Sequence, residues 1–224
     1  MKILNILNGT VMLEHFKKLG NIEGELVSFN EAMCDGEVSS SIFSSDFVDE
    51  RSVYHLISRE DYEENVVDIL NPLLSKSYEK LVLWFDKDMF CQINLLTILA
   101  YLDQNEVYDD VILNYVDEKF EVEKCVVVKP KSFYSIYVSV LVCKHMPKIA
   151  LPPILKRGVE LYLEYSLPEN DITDFIIDNI EMPEDELVAH LFKNFKEYGL
   201  GDVQYFRLID YVKENFESLT SKDN

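Results

Sequence analysis

Apolar and polar positions fall in blocks along this chain, and the blocks change character near residue 129. Lys2 to Leu7 is a short apolar run that stops at Asn8-Gly9, and Val11 to Leu19 then spaces its apolar residues for a helix that Gly20 ends. Gly24 to Phe29 reads as a second strand, followed by a polar loop through Asn30, Glu31, Cys34, Asp35 and Gly36. Ser41 to Ser58 and Asp61 to Ser75 predict two amphipathic helices, the second ended or kinked by Pro72 near its last turn. Lys80 to Phe85 is the clearest strand: Leu81 to Phe85 is unbroken apolar sequence, as expected of a strand buried on both faces. Asp88 is placed to cap a helix over Met89 to Leu102, in which Phe90, Ile93, Leu96, Ile98 and Leu99 include an apolar stripe. Val111 to Val116 supplies a fourth strand and Cys125 to Val128 a fifth.

This alternation of strands and helices winds, through right-handed crossovers, into a mostly parallel sheet covered by helices. The predicted class is therefore α/β, with a Rossmann-like or flavodoxin-like layer over residues 1–129. From residue 130 the period is helical only, with helices expected over Ser132 to Met146, Leu151 to Tyr165, Ile172 to Asn179, Pro183 to Tyr198 and Asp202 to Phe216. Pro183, the acidic run Glu184-Asp185-Glu186 and Gly199 punctuate the fourth of these as start, positive end and stop. Residues 130–219 are thus expected to form a helical bundle packed on the sheet, with residues 220–224 a frayed tail.

Composition narrows the function classes. The 224 residues are 48% hydrophobic and 28% charged, a globular balance able to bury a core without metals or disulfides. A formal charge of −20, from 41 acidic against 21 basic side chains, repels phosphate backbones, so neither nucleic acid nor an anionic membrane is an expected partner. A basic protein partner or a small molecule fits this charge better. The first residues are interrupted by Asn5, Asn8 and Gly9, unlike a signal-peptide core, and the apolar run Phe133 to Cys143 falls short of a membrane span. Cys34, Cys91, Cys125 and Cys143 lie far apart with no CxxC, which reads as reduced thiols of a cytoplasmic protein.

In an open parallel sheet, ligands bind beyond the carboxyl ends of the strands. That rule selects Asn8 and Gly9 after the first strand, Glu31 after the second, and Asp86 and Asp88 after the third, with Gln92 one turn further on. Trp84 could stack on a ligand at the same edge, although its apolar strand also suits a core residue. Glu31, Asp86 and Asp88 together could hold Mg²⁺ or Mn²⁺, which would let an acidic protein accept a phosphate group and would bring hydrolase or transferase chemistry within reach. The plainer alternative is that Asp86 and Asp88 cap a helix and Asn8-Gly9 makes a turn. No GxGxxG, P-loop, GxSxG or HExxH motif occurs, and His15, His55, His145 and His190 are dispersed without metal-ligand spacing. Cys91, close to a helix start, is either a nucleophile or a buried thiol. A non-catalytic interaction protein is the competing class.

Three segments carry a family resemblance: Leu7-Asn8-Gly9, the loop Glu31 to Gly36, and the stretch Leu83 to Leu96, which reads LWFDKDMFCQINLL. Together they resemble the bacterial domain of unknown function 1835 family, and Tyr198 to Tyr205 is similar to a C-terminal feature of its longer members. Thr10 departs from the acidic residue that many members carry after the Asn-Gly turn. The resemblance implies no activity; it marks Asn8, Glu31, Trp84, Asp88 and Gln92 as residues to test.

Overall fold

The computed structural model describes residues 1–220, so the tail expected over 220–224 lies, from 221 onward, outside the described residues. The first part runs β1 (Ile3–Asn8), α1 (Thr10–Leu19), β2 (Glu25–Phe29), α2 (Ser45–His55), α3 (Arg59–Tyr62), α4 (Asn71–Leu74), β3 (Lys80–Phe85), α5 (Met89–Gln104), β4 (Val111–Val116) and β5 (Val122–Val128). Helices alone follow: α6 (Phe133–Tyr137), α7 (Pro153–Tyr165), α8 (Asp171–Asp178), α9 (Glu184–Asn194) and α10 (Asp202–Thr220).

The five strands form one sheet in the order β2-β1-β3-β4-β5. β2, β1, β3 and β4 are parallel to their neighbours, and β5 is antiparallel to β4. The class is α/β with a mostly parallel, mixed sheet. β5 turns back because Asp117 to Glu121 is too short for a crossover: the Asp117 carboxylate accepts the amides of Lys119 (2.9 Å) and Glu121 (2.8 Å) and closes a tight connection.

Alternation along the strands sorts side chains to two unequal faces. Leu7 and Trp84 face α1 and meet Met12, Leu13 and Phe16 in a small cluster. Leu4, Ile6, Leu81, Leu83 and Phe85 face the other way and join one continuous core that runs through α5 to Tyr137, Tyr162, Ile176 and Val212. α5 therefore carries no exposed apolar seam: Gln92, Asn94 and Thr97 are buried along with its aliphatic residues. Its outer side is covered by α6 and α7, which is why a single stripe understates it.

Two predicted helices are shorter or more broken than their periodicity suggests. Ser44, whose hydroxyl accepts from the Phe47 amide (3.3 Å), starts α2, and Leu56 in a left-handed conformation stops it. Pro72 does not end the helix expected over Asp61 to Ser75. It sits in the first turn of α4, after a wide turn at Glu63–Val67. There its missing N–H costs nothing, since a first-turn amide has no intrahelical partner.

Candidate functional site

The carboxyl ends of β1 and β2 open into a cavity of about 280 Å³ lined by Asn8, Gly9, Asn30, Glu31, His55 and Phe90. Glu31 is buried, and its carboxylate is saturated with donors. Arg51 Nη2 donates at 2.6 Å, His55 Nε2 stands at 2.6 Å, the Ala32 amide donates at 2.8 Å, and the Tyr62 hydroxyl closes on the second oxygen. Burial by itself would raise this carboxyl; the hydrogen bond from His55 and the charge of Arg51 outweigh burial and hold it at about 2. Arg51, fully buried, also donates to the carbonyls of Ala32 (3.0 Å) and Glu37 (3.3 Å). The web fastens the loop after β2 to α2.

A larger cavity, about 590 Å³, opens beyond β3, β4 and β5. Asp86, Asp88 and Glu197 line it, as do Lys87, Lys124, Arg157 and Lys196, with Tyr115, Pro153 and Leu161 between them. Asp88 caps α5 through the Cys91 amide (2.7 Å). Burial pushes its carboxyl up to about 6, against the pull of that amide, and the charge of Asp86 adds to the rise. Asp86 is also raised, chiefly by burial. Much of the cover over Asp88 comes from Gly199, where a left-handed turn (φ +64°) brings the backbone so near that a Cβ would stand 2.2 Å from Asp88 Cγ.

Two buried polar atoms at this edge lack partners. Tyr115 is 3% exposed, and its hydroxyl makes no hydrogen bond among the described residues. Gln92 donates through Nε2 to the Asp86 carbonyl (2.6 Å) but leaves Oε1 unpartnered; its stem packs on Gly158, where a Cβ would come within 2.5 Å of the Gln92 Cβ. An unmade hydrogen bond at a buried polar group costs roughly 1–3 kcal/mol, so these atoms mark a place where the fold leaves polar capacity in reserve.

A chain of side chains joins the two cavities. Asn94 Nδ2 donates to the Glu31 carbonyl (2.6 Å) and to Asn8 Oδ1 (2.8 Å), and Asn8 Nδ2 donates to Cys91 Sγ (2.8 Å). The Cys91 thiol in turn faces Asp88 Oδ2 at 3.4 Å. Burial pushes that thiol well above its ordinary value, with Asp88 adding to the rise, so Cys91 is a protonated link rather than a nucleophile.

The residues selected from the sequence are therefore divided. Asn8, Gly9 and Glu31 border the smaller cavity, Asp86 and Asp88 the larger, and Gln92 lies buried behind the larger one. Trp84 lines neither. Its ring packs at 5.0 Å from Phe16 on the α1 face and its Nε1 donates to Asn5 Oδ1 (3.1 Å), so the ligand-stacking expectation is corrected to a core role. The cation site is corrected as well: no group of three His, Cys, Asp or Glu side chains among the described residues is placed to hold a metal. Glu31 has spent its oxygens on Arg51, His55 and Tyr62 and does not join Asp86 and Asp88. Arg51, Asn94, Tyr115 and the cationic lining of the larger cavity were missed by reading the sequence. Arg51 alone had a local signal, four residues after Phe47 on the buried side of α2.

No helix among the described residues is long and apolar enough to cross a membrane. No protein-family profile matches the chain, and neither a curated protein nor a solved structure matches it.

Proposed function

We propose that this chain is a flavodoxin-like α/β protein that binds a small organic ligand in the cavity beyond β3, β4 and β5. The strand order β2-β1-β3-β4-β5 supports the flavodoxin-like reading, with the reversed β5 as its one departure. In this reading the helical residues 130–219 serve as the outer wall, through Pro153, Arg157 and Leu161 of α7 and the turn from Lys196 to Gly199. Membership of the bacterial domain of unknown function 1835 family belongs to the same proposal: two of the segments that carry the resemblance end at Asn8-Gly9 and pass through Asp86 and Asp88, on the edge that holds both cavities.

The observation that carries the proposal is Tyr115, a buried residue of the cavity wall whose hydroxyl has no partner. The volume suits a drug-sized molecule. Binding is what the site supports, and a nucleophile is not: burial keeps Cys91 and Tyr115 protonated, and Asp88 is the group able to exchange a proton near neutral pH. A thermal-shift screen of small organic ligands tests the proposal, because a ligand bound to the native state raises the melting temperature by mass action. A stabilising compound should lose its effect when Leu161→Trp fills the cavity and should bind more weakly to Tyr115→Phe. Stabilisation that persists in both variants would place the ligand elsewhere.

A further inference from the structure

We propose that the ligand of the Tyr115 cavity presents an oxyanion, a carboxylate or a phosphate, on an apolar body; this rests on that cavity being the ligand site. The chain as a whole carries −20, yet this wall gathers Lys87, Lys124, Arg157 and Lys196 beside Asp86, Asp88 and Glu197. Lys87 and Arg157 are already tied to Glu123 and Glu197. Lys124 on β5 and Lys196 on the turn before Gly199 form no ion pair among the described residues, and they come from separate parts of the chain to one opening. Tyr115 adds a donor without an acceptor, which an oxyanion supplies. Pro153 and Leu161 offer apolar contact to the rest of the molecule. Long-range field works against any anion approaching so acidic a protein, so selection must come from short-range contacts at the cavity.

An anion seated here also meets Asp88. Asp86 and Cys91 act on that carboxyl directly, and the cavity it borders is shared by Lys87 on its own turn, Arg157 on α7, Lys196 and Glu197 on the turn before Gly199, Tyr115 on β4 and Lys124 on β5. Negative charge brought into this set favours the protonated Asp88, so binding takes up a proton and tightens as pH falls through 6.

The test is calorimetric titration of the intact protein with 1-naphthyl phosphate, 1-naphthoate, and their uncharged counterparts 1-naphthol and 1-naphthamide. At least one anion should bind about tenfold more tightly than its neutral partner, and the comparison of phosphate with carboxylate identifies the head group. Lys124→Gln with Lys196→Gln should weaken the anion roughly fivefold, the size of partly screened contacts, and leave the neutral compounds unchanged. The anion's affinity should rise from pH 7.5 to pH 5.5, and Asp88→Asn should remove the part of that rise that does not come from the ligand's own titration. Neutral and charged compounds that bind alike, with no response to the lysine substitutions, would overturn the oxyanion and leave the cavity reading standing. Binding that ignores Leu161→Trp, or no binding by any of the four, would overturn both.

Discussion

Glu31 and Asp88 are two carboxylates withdrawn from water at the same edge of one sheet, and they respond in opposite directions. Glu31 is held at about 2 and Asp88 is pushed up to about 6. Burial raises both. The difference lies in their donors: Glu31 receives Arg51, His55, Tyr62 and a backbone amide, whereas Asp88 receives the Cys91 amide and a distant thiol. A buried carboxylate that is fully paired is a structural fastener, since its charge has nothing left to offer. One that is under-paired and borders a cavity keeps proton affinity in the range where chemistry and binding use it. The carboxylate at the smaller cavity is thus fully paired, and the one at the larger cavity is not.

The comparison can be broken most forcefully at Arg51. Arg51→Met strands an ionised Glu31 in the interior and should cost about 3–5 kcal/mol in denaturant unfolding; a loss under about 1 kcal/mol would mean that Glu31 is not fastened as described. On the other side, Gly199→Ala forces a Cβ into Asp88 from a left-handed turn and should destabilise by about 2–3 kcal/mol. A neutral effect there would remove the cover that sets Asp88 apart.

The pH dependence separates the two carboxyls by sign. A depressed Glu31 contributes stability that is present above its unfolded value of 4.5 and is lost as pH falls toward 2. A raised Asp88 does the reverse: the folded state is penalised at neutral pH, and the penalty is relieved as pH falls through 6 toward 3.8. Asp88→Asn keeps a helix cap without the charge, so it should be about 2 kcal/mol more stable than the parent at pH 7.5, allowing for partial exposure, and equal to it near pH 4. A variant less stable at both values would refute the raised carboxyl. The smallest effect is expected at Cys91→Ser, where a stronger hydroxyl donor should bring the Asp88 carboxyl down by less than about one pH unit, read from its carbon-13 titration.

Much of the fold was legible because it is written locally. The unbroken run Leu81 to Phe85 and the cap at Asp88 are signals within a few residues, and each appears where the sequence puts it, whereas α9 ends at Asn194 and Gly199 closes only the short turn Lys196–Tyr198 that follows. The reversal of β5 was not read, because direction depends on the length of the Asp117 to Glu121 connection rather than on the strand itself. The strand-end rule found residues of both cavities, yet it could not tell that α2 returns Arg51 and His55 to Glu31, or that α7 and the Lys196 to Gly199 turn fold over Asp88. Those contacts join positions remote in sequence, and no spacing encodes them. Trp84 shows the same limit: alternation placed it correctly in β3, but only the packing of α1 reveals that its face is the closed one.

Carbon-13 carboxyl titration of Glu31 and Asp88, with and without a ligand that the cavity stabilises, probes the contrast most directly. Asp88 should titrate near pH 6 and move upward when the cavity is filled by an anion, while Glu31 stays silent from pH 4 to 8 in both states. An Asp88 that titrates near pH 4 and ignores the ligand, or a Glu31 that titrates in the neutral range, would contradict the division between a fastened carboxylate and a poised one.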